Sequence, residues 1–156
     1  MLSKDEILII FDSGLRTLSM IDNTRVYQFI FTIFAEIALH PDINAAVPFF
    51  ERRNVFAECV RALETSTGYW GHGTQRIWNR ATMFFRRCCS ENLDILRSEA
   101  DVLAVVPFLT DYTAKKPELA DNAGAFDLRA KLMKEHEGIL ANDVEQDRRT
   151  SALVLL

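Results

Sequence analysis

The sequence predicts an all-α fold arranged as a stacked helical repeat, and three observations carry that expectation. Composition is the first: 11 Phe against 6 Gly and 4 Pro in 156 residues favour packed helices over a loop-rich fold. Periodicity is the second. Within Gln75 to Cys89, the apolar residues Ile77, Trp78, Ala81, Phe84, Phe85, Cys88 and Cys89 recur at i, i+1, i+4, i+7, i+8, i+11 and i+12, one wide helical stripe with every arginine elsewhere on the turn. Self-similarity is the third. Arg25-Val26-Tyr27-Gln28 matches Arg76-Ile77-Trp78-Asn79, and in the same register Ile30 matches Ala81, Phe34 matches Phe85, Ile37 matches Cys88 and Ala38 matches Cys89. A unit repeated in this way cannot bury its apolar face alone and needs neighbours.

The chain suits a single domain, residues 1–156, with ordinary globular usage of 49% hydrophobic and 26% charged residues. Its three cysteines are odd in number, two are adjacent, and none has metal-ligand spacing. Reduced thiols in a cytosolic-type compartment, hence a cytoplasmic protein, are the expectation. No apolar run approaches the roughly 18 residues of a membrane span; the closest, Val26 to Leu39, is broken by Gln28, Thr32 and Glu36. The N-terminus, MLSKDEILII, carries acids where a secretory signal has only bases, and reads as part of the fold.

Each element follows from local chemistry. Ser3 with Glu6 is a capping box, so a first helix starts there and carries Ile7, Ile10 and Phe11 inward. Gly14 predicts a break with positive φ, followed by a short second helix with Leu15, Leu18 and Ile21. Asp22-Asn23-Thr24 caps a third helix, Arg25 to Leu39, whose polar residues Arg25, Gln28, Thr32 and Glu36 form one narrow line. His40-Pro41-Asp42 ends it, a helix over 42–52 is bent at Pro48, and Asn54 caps another carrying Val55, Phe56, Cys59, Val60 and Leu63. The connection Thr65 to Thr74 leads into the helix at Gln75. Beyond Ser90 the pattern predicts a short helix with Leu93 and Leu96, a helix from Asp101 to about Tyr112, one long helix from Glu118 to about Glu137, and a weak helix from Asn142. Repeat units then run over about 4–40, 41–90 and 91–137, with a tail at 138–156.

In EILIIFDSGLRTLSMIDNTRVYQFIFTIFAEIA, with its glycine before the second helix, the chain resembles one whole armadillo repeat, and HEAT repeats are closely similar. The resemblance continues through HPDINAAVPFFERRNVFAECVRALE with QRIWNRATMFFRRCC, where Ala81 matches the family's tightly packed alanine, and fades over 91–133, where Ala123 takes that part. It implies a right-handed superhelix of about three three-helix units and a concave groove lined by the third helices. That groove would be lined by Arg25, Gln28, Thr32 and Glu36 from one unit and Arg76, Asn79, Arg80, Met83 and Arg87 from the next. The family's peptide-binding Asn and Trp ladder is missing, since Glu36 and Arg87 stand at its Asn positions and Thr32 and Met83 at its Trp positions.

The functional expectation is a non-catalytic adaptor or complex subunit that binds a protein partner, a peptide or helical segment of acidic character, through this groove. Residues 51–90 hold seven arginines and three acids (net +4), between acidic flanks of net −3 and −5. Arginine forks pair with carboxylate or phosphate, so binding of nucleic acid or a phosphorylated ligand is the alternative reading, disfavoured by the overall charge of −4. The bland reading is a solvated face whose arginines pair with the acidic flanks. Tyr69, Trp70 and His72, between glycines, are candidates for a loop contact, and the apolar Ala152 to Leu156 for self-association. Cys88 and Cys89 match core positions of the repeat. No scattered histidine, carboxylate pair or Ser-His-Asp order supports a catalytic, metal or cofactor site, and a globin-like carrier lacks a suitably placed histidine. None of the three is expected.

Overall fold

A computed structural model of the chain describes residues 2–65, 75–90 and 92–155, with side chains as far as residue 149. It is 82% helical, with nine helices and one two-stranded sheet among the described residues, so the all-α expectation holds. The first helix, α1 (Lys4–Met20), starts at the capping box: Ser3 Oγ accepts the Glu6 amide at 3.2 Å and Glu6 Oε1 accepts the Ser3 amide at 3.1 Å. It runs unbroken through Gly14, against the predicted break. A Cβ at that position would lie 2.6 Å from Cε1 and Cζ of Phe34, so the glycine is a notch for an aromatic ring. The first unit therefore has two helices where three were expected.

Asn23 Oδ1 accepts the amides of Arg25 and Val26 and opens α2 (Thr24–Ile37), while the Tyr27 hydroxyl donates to Leu18 O at 3.0 Å and ties α2 to the end of α1. A 3-10 turn (Ile43–Ala46) leads into α3 (Val47–Arg53), with Pro48 in its first turn. Proline lacks the amide that a first turn leaves unpaired, so it starts this helix and does not bend one. Asn54 takes the left-handed conformation (φ 51°) between α3 and α4 (Val55–Thr65). The N-terminus of α4 is capped from a distance: buried Asp101 accepts the Ala57 amide at 2.9 Å, a contact between segments 44 residues apart. Burial pushes the Asp101 carboxyl up, opposed by those hydrogen bonds.

The periodic stripe at Gln75 forms α5 (Gln75–Arg87), with Ile77, Trp78, Ala81, Phe84 and Phe85 buried as predicted. After it comes an antiparallel hairpin, β1 (Cys89–Ser90) with β2 (Leu93–Asp94), where a short helix was expected. Leu93 and Leu96 are buried as their spacing requires, but an i, i+3 pair suits a strand and a bend as well as one helical turn. The Ile95 amide, bonded to Cys88 O at 2.9 Å, commits the segment to the end of α5. Ser98 then caps α6 (Glu99–Lys115), which keeps Pro107 on its exposed side. The long helix expected over 118–137 is two, α7 (Pro117–Asn122) and α8 (Ala125–Glu135), divided at Ala123 and Gly124 (φ 75°). Ala123 is thus a break residue, not the tight mid-helix alanine the resemblance assigned to it. The last helix is α9 (Glu137–Leu155).

The core is aromatic at its centre. Phe11, Phe34, Phe50, Phe56 and Phe84 are linked by centroid distances of 4.8 to 6.3 Å in tilted, edge and stacked pairs. Phe85, Phe108, Tyr112 and Trp78 continue the chain of rings toward α6. Such pairs add about 0.5 to 1.5 kcal/mol each to the area they bury. Cys59, Cys88 and Cys89 are buried free thiols within this core, and burial pushes all three up in pKa. Among the described residues no helix is long and apolar enough to cross a membrane.

Candidate functional site

Among the described residues the most extensive helix contact joins α2 and α5. Phe34 and Phe84 meet at 5.3 Å, and Arg87, at the end of α5, donates to Ala35 O near the end of α2. The two helices therefore lie side by side with their C-terminal ends level. Their outward sides border one seam. Gln28 and Thr32 of α2 and Arg80, Met83 and Arg87 of α5 are half-buried, while Glu36, Arg76 and Asn79 are exposed. Glu36 Oε1 approaches Arg87 Nη1 at 3.9 Å, which joins two positions that the internal repeat makes equivalent.

The seam residues are not interchangeable. The guanidinium of Arg87 is held by the Ala35 carbonyl and Glu36, so it stitches the helices together. Thr32 Oγ1 donates to Gln28 O at 2.7 Å within α2. Arg80 extends toward Met83 Sδ at 4.0 Å, a weak contact, and Arg76 and Asn79 are exposed. What the seam offers outward is two arginine forks flanked by an amide and a thioether. Arg25, at the start of α2, is exposed on the crest of that helix beside Phe29.

Elsewhere in the basic segment a further arginine, Arg53, pairs with an acidic flank, as the bland reading expects. Arg53 bridges Asp12 at 2.8 Å and Glu58 at 3.4 Å and lies over the Phe49 ring, and Arg97 joins Glu51 at 2.8 Å. The Arg53 hydrogen bond holds the Asp12 carboxyl below the usual range. Arg86 donates to Ala123 O at 3.3 Å beside Gly124.

Concavities lie both at the end of the seam and away from it. A cleft of about 450 Å³ opens between α1, the start of α2 and α4, with Arg16, Arg53 and Arg61 at its rim. One of about 340 Å³ lies at the ends of α2 and α5, and Arg87 borders it together with His40. A third, of about 230 Å³, lies between α1 and α2 with a wholly uncharged lining that includes Ile9, Gly14, Phe29 and Ile33. The sequence reading missed the last, although Phe29 falls at i+4 from Arg25, inside the line taken as polar. Phe29 is 66% exposed and Ile9 62%.

Tyr69, Trp70 and His72 lie outside the described residues, as do the side chains of Ala152 to Leu156. Among the described residues no group of three or more His, Cys, Asp or Glu side chains is placed to hold a metal ion. Compared with known proteins, the chain matches no family model, no curated protein and no solved structure.

Proposed function

We propose that the chain is an armadillo-like stacked array serving as a non-catalytic adaptor or complex subunit, which captures an acidic protein segment along the α2–α5 seam. What supports this reading is the level pairing of α2 and α5 in the register of the internal repeat, with Glu36 beside Arg87. That register brings Arg76 and Arg80 to one outward surface while Arg87 is spent on the helix pair itself. Arginine forks bind carboxylates bidentately, and each charge-assisted bond shielded from water contributes about 1.5 to 3 kcal/mol. A cytoplasmic location and a right-handed superhelix belong to the same reading.

Titration with an oligo-glutamate peptide tests it, read by calorimetry at low and moderate salt. Arg76→Glu with Arg80→Glu, two positions outside the core, should abolish binding and leave the melting temperature unchanged. Wild-type binding that survives this double reversal would remove the seam. Nucleic-acid binding whose affinity falls steeply with salt, in the absence of peptide binding, would favour the phosphate-binding alternative.

A further inference from the structure

The exposed crest of α2, next to the seam, carries a second surface. The spacing Arg25, Phe29, Thr32, Glu36 advances by four, three and four residues, the stripe a helix presents to a partner helix. It has a positive end, a negative end and an aromatic residue between them. Helices apolar on nearly every side are normally covered on nearly every side, yet Phe29 is 66% exposed and Ile33 only partly covered. Beside the stripe runs the uncharged groove against α1, about 230 Å³, with Ser13, Gly14 and Thr17 as its small-residue wall. An apolar cavity of about 150 Å³ accommodates benzene, so the groove has room for a phenyl ring.

We infer that this face pairs with the same face of a second copy of the chain, α2 antiparallel to α2. Self-complementarity of the stripe selects this occupant. Under a two-fold axis crossing α2 near Ile30 and Phe31, Arg25 of one copy stands opposite Glu36 of the other, and Phe29 opposite Thr32 and Ile33. Each Phe29 then enters the groove of the second copy, and two Arg25–Glu36 pairs close the ends. A parallel pairing would set like charges against each other at both ends and leave the phenyl rings without a groove. The stripe shares Thr32 and Glu36 with the margin of the seam, where the Glu36 side chain stays 68% exposed beside Arg87. Phe29 lies on α2 and Arg76 and Arg80 on α5, so Phe29→Asp and the double arginine reversal let this pairing and the partner capture proposed above fail separately.

Sedimentation equilibrium of the full chain tests the pairing. Wild type should dimerise reversibly, and Phe29→Asp should raise the dimer dissociation constant about tenfold or more, as loss of a central aromatic anchor does. Because Phe29 is exposed, the circular dichroism of that variant should match wild type, and its melting temperature should match that of wild type at concentrations low enough for wild type to be monomeric. Arg25→Glu alone and Glu36→Arg alone should each weaken the dimer, and an equimolar mixture of the two should restore it as a heterodimer. A wild-type chain that stays monomeric to millimolar concentration would overturn the inference. So would a dimer indifferent to Phe29→Asp, or one in which the mixture is no tighter than either variant alone.

Discussion

Gly14 and Gly124 each have a large side chain pressed against the α-carbon, and the backbone treats them in opposite ways. At Gly14 helix α1 continues, and the missing side chain admits the Phe34 ring, 2.6 Å from where a Cβ would stand. At Gly124 the chain enters the left-handed region at φ 75° and separates α7 from α8, with the Arg86 guanidinium at the same short distance. Interior glycine costs a helix about 1 kcal/mol. In α1 that cost is offset because one continuous stripe buries Ile7, Phe11, Leu15 and Leu18 together. Around Gly124, Ala120, Ala123, Ala125 and Leu128 are all buried, a set a straight helix could not bring to one face. The role of a glycine is thus decided by what reaches it from elsewhere in the chain.

The largest expected effect that sharpens this contrast is Gly14→Val. Two methyl groups against a fixed core ring should cost about 3 kcal/mol in a denaturant titration, and less in a Phe34→Leu background, where the ring is gone. Equal losses in the two backgrounds would break the notch account. Gly124→Ala should cost about 1 to 2 kcal/mol, the strain of an L-residue held left-handed, because the flexible guanidinium can move aside. A Gly124→Ala that stabilises the fold would mean that α7 and α8 merge without penalty.

A smaller effect separates two carboxylates by sign. The Arg53 hydrogen bond lowers Asp12, so its stabilising contribution is present above the ordinary carboxyl range and lost as pH falls through the depressed folded value. Burial raises Asp101, so its contribution is fullest below the unfolded pKa and lost as pH rises through the raised folded value. Stability relative to Asp101→Asn should therefore fall as pH rises above the ordinary carboxyl range, about pH 4, whereas relative to Asp12→Asn it should fall as pH drops below that range. Parallel profiles for the two variants would contradict the assigned environments.

What was legible in the sequence was local chemistry and long periodicity. The Ser3–Glu6 box, the Asn23 cap and the buried stripe of α5 needed only neighbours within a few turns. The hairpin at Cys89–Asp94 did not show, because its ladder depends on the preceding helix end. The cap supplied to α4 by Asp101 was equally hidden, 44 residues away. The spacing of the seam arginines does not show which of them stays available. Arg87 is occupied by a carbonyl on a different helix, a fact no spacing carries. The exposure of Phe29 is not legible, because an aromatic residue beside the polar line Arg25, Gln28, Thr32 and Glu36 reads equally well as part of the core.

The claim that α2 and α5 are equivalent members of one stacked array can be tested directly with pairs of spin labels. The buried native thiols leave introduced cysteines as the sites that react. Labels at 25 with 76 and at 36 with 87 should give similar short distances, and the diagonal pairs 25 with 87 and 36 with 76 should lie a further ~16 Å apart along the axis, eleven residues of helical rise. Short diagonals with long level pairs would mean antiparallel helices in a closed bundle, and the account would fall.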